Sequence, residues 1–236
     1  MNNDDPFGKA CLAYLKGIRG LEIIVKSDHA EDDILPVDYL FRTFDEMPLL
    51  EQTALNLCKG KVLDIGAGAG CHSKWLKEHG IEALAIDQSE GVIEALKIQT
   101  INAQRIDFFQ MQEDDKFDTL LTLMNGTGIS GTEDRFPEFL LKCKSLMKKS
   151  GQILIDSSDI IYLFDNEEEL KSHAKENYYG QVKYQMVFGN DKTDWFDWVY
   201  FSFEKLSNIC DQNDMKCEYI FEGSHYDYLA RITSKN

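Results

Sequence analysis

Residues 62–73 read VLDIGAGAGCHS. An apolar run ends in Asp64, and Gly66, Gly68 and Gly70 follow at every second position. Glycine weakens a strand and loses more conformational freedom on folding than any other residue. Its repetition here marks a backbone that must turn tightly or approach something closely. Downstream, CHSKWLKEHG has a helical pattern closed by Gly80. A strand, a glycine turn and a helix N-terminus, in that order, form a cradle for a ligand. Dinucleotide folds use G-x-G-x-x-G. Counted from Gly66, the last of those positions is Cys71, so that fingerprint fails. The order present is D-x-G-x-G-x-G. Its acid suits a ligand ammonium group, and its glycines let a nucleoside lie against the backbone.

Outward from this stretch, strand and helix alternate. KVLDI, IEALAID, FDTLLTLMN and GQILIDSSD read as strands, and NAQRIDFF as a short one. Ser89 caps a helix through GVIEALKIQ. FPEFLLKCKSLMKKSG reads as a helix with Pro137 early and Gly151 at its end. This alternation predicts a parallel, doubly wound sheet. Upstream, residues 7–17 and 48–58 read as helices and LEIIVK (21–26) as extended. Downstream, VKYQMVFGNDKTDWFDWVYFS reads as a hairpin around Gly189, Asn190 and Asp191. A helix, SFEKLSNICDQNDM, then precedes two strands, KCEYIFEG and YDYLARIT, whose short link makes them antiparallel. With no Pro- or Gly-rich linker, residues 1–236 are expected to form a single domain. Its parts are a cap (1–57), a core (58–158), an insertion (159–203) and a C-terminal helix with a strand pair (204–236).

The chain has 236 residues, 43% hydrophobic and 28% charged, with a formal net charge of −16. That charge disfavours a nucleic-acid partner. Lys142, Lys144, Lys148 and Lys149 read as cations near a helix C-terminus rather than a phosphate-binding patch. The six cysteines form no C-x-x-C, and no Cys/His spacing suggests a metal. They fit a reducing compartment. No apolar run approaches a membrane helix, and MNNDDPFGKA lacks the features of a signal peptide. A cytoplasmic protein is expected, with no membrane partner; the sequence sets no oligomeric state.

On the motifs VLDIGAGAG, AIDQS (85–89), Asp107-Phe108, FDTLLTLMNGTGI (117–129) and GQILIDSSD, the chain resembles the class I S-adenosylmethionine-dependent methyltransferases. The resemblance covers about residues 36–232. More narrowly, LFRTFDEMPLLEQTALNLCKGKVLDIGAGAG is similar to a bacterial group of unassigned substrate. It implies an α/β, Rossmann-like seven-stranded sheet with helices on both faces and an antiparallel last strand. To this are added an N-terminal helical cap and a β-hairpin insertion. The implied cofactor is S-adenosyl-L-methionine. Its implied contacts are Asp64, Gly66, Ala67, Gly68 and Gly70 in the turn, Asp87 and Gln88 at the ribose, and Asp107 and Phe108 at the adenine. Met124, Asn125 and Gly126 follow the fourth strand. The absence of N-P-P-Y there disfavours DNA and protein amide acceptors, so a small-molecule acceptor is expected.

A sulfonium carries its own activated methyl group, so the enzyme chiefly aligns the acceptor and excludes water. No single catalytic residue is nominated. Glu46, Glu51, His72, Asp156 and Asp159 are candidates as bases, and Arg42 as a partner for an acidic group. Each also has a capping, surface or ion-pair reading. A non-catalytic cofactor-binding protein is the alternative from another class. A nicotinamide oxidoreductase is disfavoured by Cys71. The first 45 or so residues and segment 160–203, both rich in aromatics, are expected to cover the acceptor side. In an extended strand Phe196, Trp198 and Tyr200 share one face, and Trp195 and Val199 the other.

Overall fold

The computed structural model describes residues 5–164, 170 and 178–235. The expected insertion, 159–203, therefore lies partly outside the described residues. Among the described residues, twelve strands form two sheets.

The larger sheet has seven strands. Its parallel heart is β3 (Val62–Ile65), β4 (Ala83–Asp87), β5 (Ala103–Arg105), β6 (Phe117–Thr122) and β7 (Met147–Ser158). With β11 (Met215–Glu222) and β12 (Asp227–Ser234), the spatial order is β11-β12-β7-β6-β3-β4-β5. The last strand, β12, runs antiparallel to both of its neighbours. Side-chain alternation explains the two-faced packing. Leu63, Leu120 and Ile153 enter one core with α6 (Phe136–Leu146) and α7 (Phe203–Gln212). Val62, Leu121 and Leu154 enter another with α3 (Leu49–Leu57) and α4 (Cys71–Glu78). The remaining helix of the core, α5 (Glu90–Ile98), packs Val92, Ile93 and Leu96 against Ala67 and Ala85.

The second sheet is antiparallel and joins the two ends of the reading. Strand β2 (Asp33–Pro36) pairs with β1 (Glu22–Ser27), which lies beside β8 (Gln181–Phe188), and β8 also pairs with β9 (Asp191–Lys192) and β10 (Phe196–Val199). The N-terminal cap is thus not purely helical, and the hairpin is not a separate addition. The register Val25↔Met186 and Val25↔Asp33 places them in one layer. Helix α1 (Pro6–Leu15) and the single turn α2 (Val37–Leu40) pack on this layer through Ala10, Cys11, Val37 and Leu40.

Helix α6 ends sooner than the sequence reading has it. It stops at Leu146, and the chain enters β7 at Met147, so Gly151 lies inside a strand. A Cβ at Gly151 would meet Met147 Cγ at 2.4 Å, where the register with β6 shifts. Glycine is needed there for a close approach, not for a cap. Lys148 and Lys149 consequently sit on β7, and Lys148 Nζ pairs with Asp118 at 2.7 Å.

Candidate active site

The carboxyl ends of β3, β4, β5 and β6 meet along one edge of the sheet, where open α/β sheets bind ligands. Gly66, Gly68 and Gly70 have φ of +70°, +54° and +88°. L-residues rarely adopt these values, so the glycine spacing follows from the turn itself. Their surroundings differ. A Cβ at Gly70 would meet Leu96 Cδ2 at 2.3 Å, so this glycine lets α4 and α5 pack. A Cβ at Gly66 would meet Ile129 Cδ1 at 2.8 Å. A Cβ at Gly68 would touch only the Phe7 ring, at 3.6 Å, and Gly66 O, at 4.0 Å. Gly66 and Ala67 donate their N–H groups to Ile86 O at 3.0 and 3.1 Å, which ties the turn to β4.

Asp87 ends β4 beside this turn. Its Oδ2 accepts from Gly68 N at 3.2 Å and its Oδ1 from Ser89 N at 2.9 Å. A carboxylate has about four lone-pair sites, and the main-chain N–H groups of Gly68, Ser89 and Gln88 occupy only part of them. What remains can accept from ribose hydroxyls. Burial raises the Asp87 pKa, and the Ser89 and Gly68 N–H groups oppose the rise. Gln88 is exposed, and its carbonyl accepts from Arg105 Nε at 2.9 Å.

Asp64 and Phe108 serve the interior. Asp64 is 2% exposed and accepts from Ser73 Oγ at 2.6 Å, which turns it toward the first turn of α4. The Phe108 ring is 4% exposed and tilts onto Phe139 at 5.2 Å, so it lies in the core and not against a ligand. Asp107 caps the following 3-10 turn by accepting from Phe109 N at 3.0 Å.

After β6, Met124 and Asn125 both have left-handed backbone, φ +67° and +59°. Neither is glycine, so this turn is strained and must be held by its surroundings. Asp156 holds it. Its oxygens accept from Asn125 N at 3.0 Å and Gly126 N at 2.9 Å. Ser158 Oγ donates to Asn125 Oδ1 at 2.9 Å. Burial, opposed by those two N–H groups, pushes the Asp156 pKa up to about 6. Past the turn, the Trp198 indole lies over Gly128, where any Cβ would clash.

Four candidates that the sequence offered separately come together. Glu51 Oε2 accepts from Arg42 Nη2 at 2.5 Å and lies 2.7 Å from His72 Nε2, and all three residues are buried. Asp156 lies close enough to feel both Glu51 and His72. Burial alone would lower the His72 pKa, but Cys71 and Glu51 outweigh it and raise the value well above normal. His72 is therefore held protonated, as an ion-pair partner rather than a free base. Donor atoms of Glu51, Cys71 and His72 lie within 4.8 Å of one another, the spacing of a metal cluster. Arg42 already neutralises the shared carboxylate, so the group reads as an ion network. Glu46 and Asp159 stand apart. Glu46 closes a capping box with Thr43, and Asp159 caps a 3-10 turn while accepting from Tyr179 OH at 2.8 Å.

The N-terminus supplies contacts that the sequence reading missed. Asp5 Oδ2 accepts from Ser89 Oγ at 2.6 Å and Gly91 N at 2.9 Å, which clamps α1 onto the start of α5 beside Asp87. The D-P pair at 5–6 signals a helix start, but nothing local signals this distant partner.

A cavity of about 420 Å³ opens on the Met124 side of the edge. Its walls are the inner face of the antiparallel sheet, with Val25, Tyr184, Met186, Phe196 and Trp198, together with Tyr200. Val199 points the other way and is fully buried, while Trp195 is 47% exposed.

A family model for a methyltransferase domain matches residues 62–151. A solved S-adenosylmethionine-dependent methyltransferase from Bacteroides fragilis, in complex with S-adenosyl-L-homocysteine, is 39% identical. The match covers 99% of this chain and 96% of that one, with a TM-score of 0.90. The CcbJ methyltransferase from Streptomyces caelestis matches 82% of this chain and 95% of its own, at 12% identity and a TM-score of 0.61. The PH0226 protein from Pyrococcus horikoshii matches 79% and 88%, at 18% identity and a TM-score of 0.57. These last two show the fold alone. No curated protein matches the chain.

The chain belongs to the class I S-adenosylmethionine-dependent methyltransferases. It is an enzyme, and its cofactor is S-adenosyl-L-methionine. The site fits that cofactor on two observations: the left-handed glycine turn, where a Cβ at Gly68 would reach only van der Waals distance of Phe7, and the Asp87 carboxylate beside it. Among the described residues, no helix is long and apolar enough to cross a membrane.

Proposed function

We propose that the enzyme methylates a small molecule held in the cavity beside Met124 and Asn125. One observation carries this reading. The cavity is lined from both the N-terminal strands and the 159–203 segment, and it reaches the residues that follow β6. The cap, core, insertion and C-terminal strand pair then act as one methyltransferase domain. The six cysteines, all free, suit a reducing compartment such as the cytoplasm.

S-adenosylmethionine supplies a methyl group already activated by its sulfonium. The chain's own residues bind and orient. Asp87 accepts the two ribose hydroxyls, and the Gly66–Gly70 backbone gives room for the nucleoside. Asp107 and the main chain of Phe108 and Gln88 border the adenine and ribose. Asp64, through Ser73, fixes the first turn of α4. Asp156 keeps the Met124–Gly126 turn in its left-handed form, and so sets the wall against which the acceptor rests. Both Asp156 oxygens are engaged, and His72 is already protonated. Neither takes a proton from the acceptor, so alignment and exclusion of water do most of the work.

The test is methyl transfer from labelled cofactor across a metabolite library. A small-molecule product, lost when Trp198 is replaced by alanine while cofactor affinity stays within about threefold, supports the reading. Transfer to proteins or nucleic acids alone contradicts it.

A further inference from the structure

The cavity's lining is chemically one-sided. Among the described residues, seventeen form it, and none is Lys, Arg or His. Its walls present the rings of Tyr184, Phe196, Trp198 and Tyr200, and its mouth carries Glu31 and Asp33. Strand alternation puts Asp33 there. It pairs with Val25, whose other neighbour is Met186, so it shares the inner face with the apolar wall. Both carboxylates are exposed at the rim, where a cation can reach them. Neither Glu31 nor Asp33 has an ion pair among the described residues. The nearest lysine on β1, Lys26, lies on the opposite face and pairs with Asp32 at 3.9 Å.

The Tyr184 and Tyr200 hydroxyls meet at 2.9 Å inside the cavity. One O–H is used between them, which leaves oxygen lone pairs and one O–H facing the interior. Ring faces carry negative potential and attract cations within about 6 Å. Aromatic faces, hydroxyl acceptors and two unpaired carboxylates all favour one kind of guest. The whole chain, at −16, draws cations toward the same opening.

We propose that the acceptor is a largely apolar or aromatic small molecule bearing an amine or other cationic nitrogen. The nitrogen is held by the ring faces and the Glu31/Asp33 rim. Carboxylates and phosphates are disfavoured, because among the described residues no basic side chain lines the cavity to receive them. This assignment rests on the methyl-transfer reading of the same site and narrows it to a substrate class.

The experiment uses the full chain saturated with S-adenosyl-L-homocysteine and a matched probe set: 4-phenylbutylamine, 4-phenylbutanol and 4-phenylbutyrate. Calorimetry should give the amine at least about tenfold tighter binding than the carboxylate, with the alcohol between them. The double variant Glu31→Gln, Asp33→Asn should shrink that ratio to within about threefold, and added salt should do the same in part. Retained S-adenosyl-L-homocysteine affinity in the variant shows that it is folded. Equal or tighter binding of the carboxylate, no binding of any probe, or a preference unchanged in the double variant each overturns the proposal. Failure of S-adenosyl-L-homocysteine itself to bind would instead strike the methyl-transfer reading beneath it.

Discussion

Replacing Asp156 with alanine removes the support of the turn that borders the acceptor cavity. Its carboxylate accepts two main-chain N–H groups, from Asn125 and Gly126, at 3.0 and 2.9 Å. Both donors belong to a turn in which Met124 and Asn125 are left-handed without being glycine. Each buried donor left without an acceptor costs about 1–3 kcal/mol. The strain of the turn, about 1–3 kcal/mol per residue, is relieved only if the turn rearranges. The loss is therefore about 2–6 kcal/mol at neutral pH, less whatever strain a rearranged turn gives back. The sign of its pH dependence follows from the raised pKa. Asp156 titrates at about 6 in the fold against an ordinary 3.8, so the folded state binds its proton more tightly. Its contribution is fully present below about pH 4 and declines as pH rises through 6. A shift of about two units corresponds to about 3 kcal/mol. Urea unfolding of wild type and Asp156→Ala, at several pH values, reads both effects. The gap between the two proteins should widen by up to about 3 kcal/mol on going from pH 8 to pH 4. A gap below about 0.5 kcal/mol at every pH would show that the carboxylate does not hold the turn.

Three further outcomes are expected. Asp87→Ala should weaken S-adenosyl-L-homocysteine binding by about 10–100-fold in calorimetry, since two charge-assisted hydrogen bonds to the ribose are lost. An unchanged dissociation constant would remove the ribose role. Gly68→Val should abolish cofactor binding, because its φ of +54° disfavours a β-branched residue in the turn beside Asp87. Gly80→Ala should cost about 1 kcal/mol of stability and leave affinity intact. Its N–H and that of Ile81 bond Lys77 O and Leu76 O at 3.0 and 2.9 Å, a helix cap remote from the cradle. Equal cofactor binding by both glycine variants would reduce the turn to a structural role. Phe196→Ala, on the cavity face, should impair acceptor turnover before stability. Val199→Ala, fully buried, should lower the melting temperature first. The reverse order would mean that the hairpin's two faces are wrongly assigned.

What could be read from the sequence was local. The Rossmann-like core follows from alternating strand and helix patterns, and the turn from three glycines that need positive φ. Ser89 announces its cap but not the hydrogen bond that its Oγ donates to Asp5. The antiparallel sheet could not be read, because β1 finds β8 only through pairs such as Lys26↔Gln185. Asp33 opens a strand of only four residues, too short for an alternating pattern to announce it. The end of α6 was misplaced because LMKKSG suits a helix terminus as well as it suits a strand with a close contact at Gly151. Phe108 and Gly70 lie in the motifs that carry the resemblance but serve packing, and only the burial of the ring and the approach of Leu96 reveal this. Arg42, Glu51, His72 and Asp156 were each visible as candidates. Their union is a product of the fold, and so is the protonated state of His72.

The most direct test is a crystal structure with S-adenosyl-L-homocysteine bound. The ribose hydroxyls should lie on Asp87, the adenine beside Asp107, and the open side of the sulfur should face the cavity walled by Met124 and Trp198. A sulfur turned away from that cavity, toward α1 or α4, would contradict the account.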